Sequence, residues 1–213
     1  MPEAVGRATS RDGTRVGYPR SGEGPPLFED VAAVVDSIQE PASLFGHSFG
    51  ATVALGAALV THNLRKLILY EPAPGITGVS GETVERIEDL VARDDREEAM
   101  VHALRSFGLT PEELELIRGS PSWPARVAAA HTVAREIRAE EAYQVDSERF
   151  RELAAPALLL LGEESPEWAR EGTERIRAAL PDARVAILRG QGHAAIMTAP
   201  ELVAGEVTRF LSD

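Results

Sequence analysis

One stretch constrains the fold more than any other: ASLFGHSFGATVALGAALVTHNLRKLILYE, residues 42–71. It opens on a short apolar run, ASLFG, that reads as a buried strand. ATVALGAALVTHN is apolar nearly all round, which predicts a buried helix. LRKLILYE is a second strand, closed by PAPG. Strand, helix and strand at this spacing form a βαβ unit, whose two strands must be parallel.

The same alternation returns near the C-terminus. PALLLLG reads as a strand, PEWAREGTERIRAALP as a helix, ARVAILRG as a strand and APELVAGEVTRFLSD as a final helix. The residues between, about Gly75 to Ala154, hold no convincing strand. ETVERIEDLVA sets Val84, Ile87, Leu90 and Val91 on one helical face, and MVHALRSF continues the theme. TPEELELI opens with a capping box, with Thr110 as cap, Pro111 at the first helical position and Glu113 reaching back. PSWPARVAAAHTVAREIRAEEA predicts one longer amphipathic helix begun by Ser122. The N-terminus reads as a hairpin, GRATS and TRVGY, turning at Asp12-Gly13. RSGEGPP breaks regular structure, and a helix follows with Phe28, Val31, Val34, Val35 and Ile38 on one face, ended by Pro41. The sum is an α/β protein with an open, mostly parallel sheet flanked by helices. Residues 1–74 and 155–213 would form the core and residues 75–154 a helical cap.

Composition removes several classes of function. The net charge of −12 argues against nucleic acid or an anionic membrane as partner, since both call for a basic patch. The chain has no cysteine, which excludes disulfides, thiolate metal sites and a cysteine nucleophile. MPEAVGRATSRDG lacks the apolar core of a signal peptide, and ATVALGAALV is too short to span a bilayer, so a cytoplasmic location is expected.

The chemistry concentrates at Gly46-His47-Ser48-Phe49-Gly50, a G-x-S-x-G motif between strand and helix. A serine on so tight a turn is thrown out above the sheet. The flanking glycines are expected to let backbone pass where a Cβ would clash. The turn also opens a helix, whose free N–H groups favour a developing oxyanion, and the Phe49 N–H is one such donor. A general base must come from the five histidines. His47 lies within the turn, His62 ends the buried helix, and His102 and His131 fall on cap helices. His193, in LRGQGHAA, follows the last strand, at the end of an open α/β sheet where ligands bind, and from there could take the Ser48 proton. Met100, Phe107, Trp123 and His131 are candidates to line a pocket, although residues at helical spacing are more often core.

Taken in order, SRDGTRVGYPRSGEGPP, GHSFGA, the helical block, PALLLLGEESP and GQGHAA resemble the α/β-hydrolase superfamily. The resemblance implies Ser48 as nucleophile, His193 as base and a cap shaping an apolar acyl or alkyl pocket. Two departures stand out. The family usually places its acid aspartate in the turn that reads GEESP here, where the position is Ser165. Some members place the acid after the strand that follows the elbow helix, which here is Glu71, directly ending a buried strand where a carboxylate needs a partner. Glu71 is therefore the expected acid, with Glu164 and Glu163 as fallbacks. The second departure is that GEGPPL joins Phe28 directly. The family has a strand-helix-strand segment of about 30 residues between Leu27 and Phe28, including the turn that supplies a second oxyanion donor. Its loss would shorten the N-terminal part of the sheet and expose the edge of the elbow strand. Pairing by the hairpin, pairing with a second copy of the chain, or derivation from a longer enzyme would each account for that edge. A homodimer is one expected consequence.

Three functions follow. The first is a serine hydrolase for small carboxylic esters, lactones or thioesters, using Ser48, His193 and Glu71 with no metal or organic cofactor. Its partner is a small-molecule substrate. The second is an impaired or non-catalytic relative that binds a small apolar ligand or a partner. The third is cofactor-free perhydrolase or haloperoxidase chemistry at the same residues.

Overall fold

The computed structural model describes residues 5–9, 15–19, 27–76 and 78–213. Four strands form a parallel sheet in the order β3-β4-β5-β6: β3 Ala42–His47, β4 Leu64–Tyr70, β5 Ala157–Gly162 and β6 Ala183–Leu188. Spatial order follows chain order, so each crossover moves one place along the sheet. The first crossover is the apolar helix α2, Phe49–Ala58, with eight consecutive buried residues from Ala51 to Ala58. The third is α9, Glu167–Ala179. The second is far longer and carries α3 Gly81–Ala92, α4 Arg96–Ser106, α5 Pro111–Arg118, α6 Trp123–Ala128, α7 Ala130–Ala142 and α8 Ser147–Arg151. After β6 come a short turn of helix, α10 Ala195–Thr198, and the C-terminal α11, Pro200–Ser212. The α/β class and the parallel sheet expected from sequence are thus present.

The period-2 alternation of a strand divides β4 between two cores. Leu67 and Leu69 pack with Leu55, Leu159, Phe150 and Ile176, between the sheet and helices α2, α8 and α9. Ile68 and Tyr70 pack on the opposite face with Leu160, Val203 and Phe210, under α11. The helical segment has its own cluster, built on Ile87, Leu104, Ile117 and Ile137. Ala194 joins that cluster, which ties the loop after β6 to the helices above it.

The expected hairpin forms from β1, Val5–Thr9, and β2, Arg15–Pro19, paired antiparallel from Val5↔Pro19 to Thr9↔Arg15. Its turn at Asp12-Gly13 lies outside the described residues. The hairpin is a separate two-stranded sheet and does not extend the parallel one, so β3 pairs with β4 alone among the described residues. This edge position corrects the expectation of a fully buried strand: Phe45 is 38% exposed.

Two helix ends also differ. Helix α1, Leu27–Asp36, stops well before Pro41, and Ile38 is 47% exposed beyond it. The Asn63 side-chain amide donates to the carbonyls of Val35, Ile38 and Glu40, while Asp36 accepts from the Thr61 hydroxyl and the His62 N–H. These long-range bonds compete with another helical turn. The single long helix expected from Ser122 is instead α6 and α7, broken at Ala129. The His131 ring donates to the Ala128 carbonyl and the Thr132 hydroxyl to the Ala129 carbonyl, which satisfies the groups the break leaves open. The capping box of α5 forms as expected: the Thr110 hydroxyl accepts from the Glu113 N–H at 3.2 Å, and Glu113 accepts from the Thr110 N–H at 2.8 Å. No helix among the described residues is long and apolar enough to cross a membrane.

Candidate active site

Ser48 sits between β3 and α2 with φ 56° and ψ −129°, a conformation that costs strain in any residue with a Cβ. The Ser48 N–H donates to the Tyr70 carbonyl at 2.9 Å, and the Ala51 N–H donates to the Ser48 carbonyl at 2.7 Å. These bonds hold the turn against the end of β4. The two motif glycines are not equivalent. A Cβ on Gly46 would lie 2.3 Å from the Gly50 carbonyl oxygen and 2.7 Å from the Ala51 Cα, whereas one on Gly50 would meet nothing within 4 Å. The expectation that both glycines relieve a clash therefore holds only for Gly46.

Glu71 follows the last residue of β4, is fully buried, and also has a left-handed backbone, φ 50°. The parallel register Tyr70↔Leu160 puts it beside the end of β5. There its Oε1 accepts from the Gly162 N–H at 2.7 Å and from the Ser165 hydroxyl at 2.5 Å. Its Oε2 accepts from His193 Nδ1 at 2.5 Å. With the proton on Nδ1, His193 Nε2 is an acceptor, and it lies 3.0 Å from Ser48 Oγ. Ser48, His193 and Glu71, drawn from three separate places in the sequence, thus form one continuous chain of hydrogen bonds. Glu163 and Glu164 are exposed and serve the loop instead: Glu163 accepts from the Gly190 N–H at 2.9 Å, and the Glu164 N–H donates to the Gln191 carbonyl at 2.9 Å.

Ser165 has a role that its sequence position alone did not disclose. It is buried and donates to the carboxylate of Glu71 rather than replacing it. The serine at the usual acid position and the acid at the end of β4 form a single arrangement. A hydroxyl donor stabilises the charged form of a buried carboxylate.

Three aromatic side chains hold the His193 loop. The Tyr70 hydroxyl donates to the Gly192 carbonyl and accepts from the Ala195 N–H at 3.3 Å. His47 Nε2 donates to the His193 carbonyl at 3.0 Å, and its ring stacks on Tyr70 with centroids 4.7 Å apart. The Trp168 ring meets that of His193 edge-on at 4.9 Å. Burial, and then the charge of His193, push the His47 pKa down to about 3, so His47 stays neutral. Burial, and next the Glu71 carboxylate, raise the Tyr70 pKa and keep its hydroxyl protonated. None of these loop contacts is visible in sequence. The one available signal was an aromatic residue at the inner end of β4 beside the candidate acid.

Above Ser48 lies a cavity of about 320 Å³ between the sheet and the helical segment. Phe49 lines it at the start of α2, where the first N–H groups of a helix have no partner within the helix. Of the candidate lining residues, Met100 and Phe107 face the cavity. Trp123 packs against the helical cluster, and the exposed His131 bonds to backbone at the α6–α7 break. Glu140 of α7 reaches across to the core, accepting from the Thr52 hydroxyl of α2 at 2.6 Å, and burial raises its pKa. Among the described residues, no group of three His, Asp or Glu side chains is placed to hold a metal ion.

Comparison with known proteins agrees with this architecture. An uncharacterized hydrolase of Bacillus subtilis, YugF, is 25% identical over 196 residues, covering 87% of this chain and 71% of its own. An alpha/beta hydrolase from Sphaerobacter thermophilus superposes with a TM-score of 0.66 at 28% identity, over 87% of this chain and 79% of that one. A thermophilic esterase from Thermogutta terrifontis superposes with a TM-score of 0.64 at 22% identity, over 89% and 73% of the two chains, a likeness of fold. The defining pattern of the alpha/beta hydrolase family runs through residues 7–206, and the chain belongs to that family.

Proposed function

We propose that the protein is a serine hydrolase that cleaves small carboxylic esters, lactones or thioesters through an acyl-enzyme. The observation that carries this reading is the chain of hydrogen bonds from Ser48 Oγ through His193 to Glu71 at the floor of an apolar cavity. Ser48 Oγ attacks the carbonyl carbon while His193 Nε2 takes its proton. Glu71 holds His193 in the tautomer with Nδ1 protonated and stabilises the imidazolium that forms. The Phe49 N–H donates to the oxyanion. His193 then passes its proton to the leaving alcohol or thiol. Water, deprotonated by the same nitrogen, releases the acid and restores Ser48.

A second reading rests on one observation, the position of β3 at the sheet edge. With no described strand on its other side to carry a second oxyanion donor, turnover would fall by about 10²–10³, leaving a protein that binds small apolar ligands and hardly hydrolyses them. Hydrolysis of 4-nitrophenyl acetate and butyrate decides between the two. The hydrolase reading expects saturable turnover that falls by about 10³ or more in Ser48→Ala. Equal rates in wild type and Ser48→Ala would overturn it.

A further inference from the structure

Among the described residues, Arg126 is the one arginine or lysine lining the cavity, and it has no counter-ion there. It projects from α6, a short helix held to the helical cluster through Trp123. Its Nε is cut off from solvent without a hydrogen-bond partner, and no described carboxylate forms an ion pair with it. Two other arginines of the helical segment show the usual alternative of pairing at the surface. Arg118 bonds to Glu97 and Glu115, and Arg138 to Glu88, all at the surface. The charge of Arg126 reaches the elbow, since it helps to depress the pKa of His47.

The cavity also contains two carboxylates, and neither serves Arg126. Glu140 is held by the Thr52 hydroxyl and the Ala73 backbone, and burial favours its protonated form. Glu136 is half-buried and outside ion-pair distance. The neighbouring wall is apolar, with Leu104, Phe107, Ile117 and Val133. Arg126 is half-buried, and the one nitrogen shielded from solvent, Nε, gains a partner only if an acceptor enters the cavity. A guanidinium presents a planar fork of N–H donors that matches a carboxylate bidentately.

We propose that Arg126 binds a carboxylate on the substrate, separated from the scissile carbonyl by an apolar chain. The substrate class is then a half-ester or half-thioester of a dicarboxylic acid. The proposal rests on the hydrolase reading for the word substrate, but the carboxylate site itself can be tested without turnover.

The binding test uses Ser48→Ala, with monomethyl adipate and dimethyl adipate as probes in titration calorimetry. Monomethyl adipate is expected to bind about tenfold or more tighter than the diester, and Ser48→Ala/Arg126→Met should lose that preference. Arg126→Lys, which keeps the charge and loses the fork, should retain only part of it. Thermal melts establish that each variant is folded. The turnover test compares mono-4-nitrophenyl adipate with 4-nitrophenyl hexanoate, and the ratio of their kcat/KM should fall about tenfold or more in Arg126→Met. Equal binding of both adipates, or no binding of either, overturns the carboxylate site even if esters are hydrolysed. Selective binding of the half-ester through Arg126 without any turnover would uphold the site and remove the hydrolase reading.

Discussion

Replacing Glu71 with glutamine tests the chemistry of the site with little change of shape. The carboxylate accepts three hydrogen bonds, from Gly162 N–H, Ser165 Oγ and His193 Nδ1. A glutamine can keep its carbonyl oxygen on Gly162 and Ser165, which preserves two of them. Its amide NH₂ then faces His193 Nδ1, and two donors cannot share a hydrogen bond. The imidazole must shift its proton to Nε2, the nitrogen 3.0 Å from Ser48 Oγ, where it can no longer accept the serine proton. Loss of the negative charge also removes the partner of the imidazolium. The same exchange in a serine protease lowers turnover by about 10⁴ while leaving the geometry intact, and a fall of about 10³–10⁴ in kcat is expected here. The melting temperature should change little. Glu71→Ala should differ, because it strands three buried donors at about 1–3 kcal/mol each and should lower stability as well. Initial rates on 4-nitrophenyl butyrate, with thermal melts of both variants, read out the two effects. A Glu71→Gln enzyme within tenfold of wild-type kcat would refute the reasoning, since it would mean that His193 needs neither the charge nor the tautomer that Glu71 imposes.

Three further outcomes follow from the geometry. Ser165→Ala removes one of the three donors to Glu71, and about 1.5–3 kcal/mol of stability should go with it in a denaturant titration; an unchanged midpoint would deny Ser165 that role. Gly46→Ala drives a methyl group into the Gly50 carbonyl and should cost about 3 kcal/mol or abolish folding, while Gly50→Ala should stay within about 1 kcal/mol of wild type; equal effects would contradict the asymmetry. Because the His47 pKa is about 3 in the folded chain and 6.5 as its ordinary value, the unfolded chain binds a proton at His47 between those values that the folded chain does not. Its contribution to stability is complete above pH 6.5 and is lost at about 1.4 kcal/mol per pH unit as pH falls toward 3. His47→Gln, which keeps a donor toward the His193 carbonyl, should flatten that part of the stability–pH curve.

What could be read in the sequence were the features that local chemistry determines. The short apolar run of β4, the apolar α2 and the glycine two residues before Ser48 each state a conformation within a few residues. Glu71 stood out because a carboxylate ending a buried strand requires a partner. The identity of that partner's other donor, Ser165, depends on β4 and β5 lying side by side across the long helical crossover. A serine in a polar turn gives no local sign of such a contact. The clamp of Tyr70 and His47 on the His193 loop is hidden for the same reason. Helix ends failed where distant side chains won: Asn63 draws carbonyls away from the end of α1, and His131 and Thr132 support the break before α7. The separate hairpin sheet, which leaves β3 at an edge, is likewise a matter of tertiary pairing and not of propensity.

The central claim is that Ser48 is an activated nucleophile. Reaction of the purified protein with a fluorophosphonate, read by intact mass, tests it most directly, because a serine without a base and an oxyanion donor reacts negligibly. The account predicts one adduct on the wild-type chain, none on Ser48→Ala, and labelling slowed by orders of magnitude in Glu71→Gln. A folded wild-type protein that remains unlabelled, or an adduct that persists in Ser48→Ala, would contradict it.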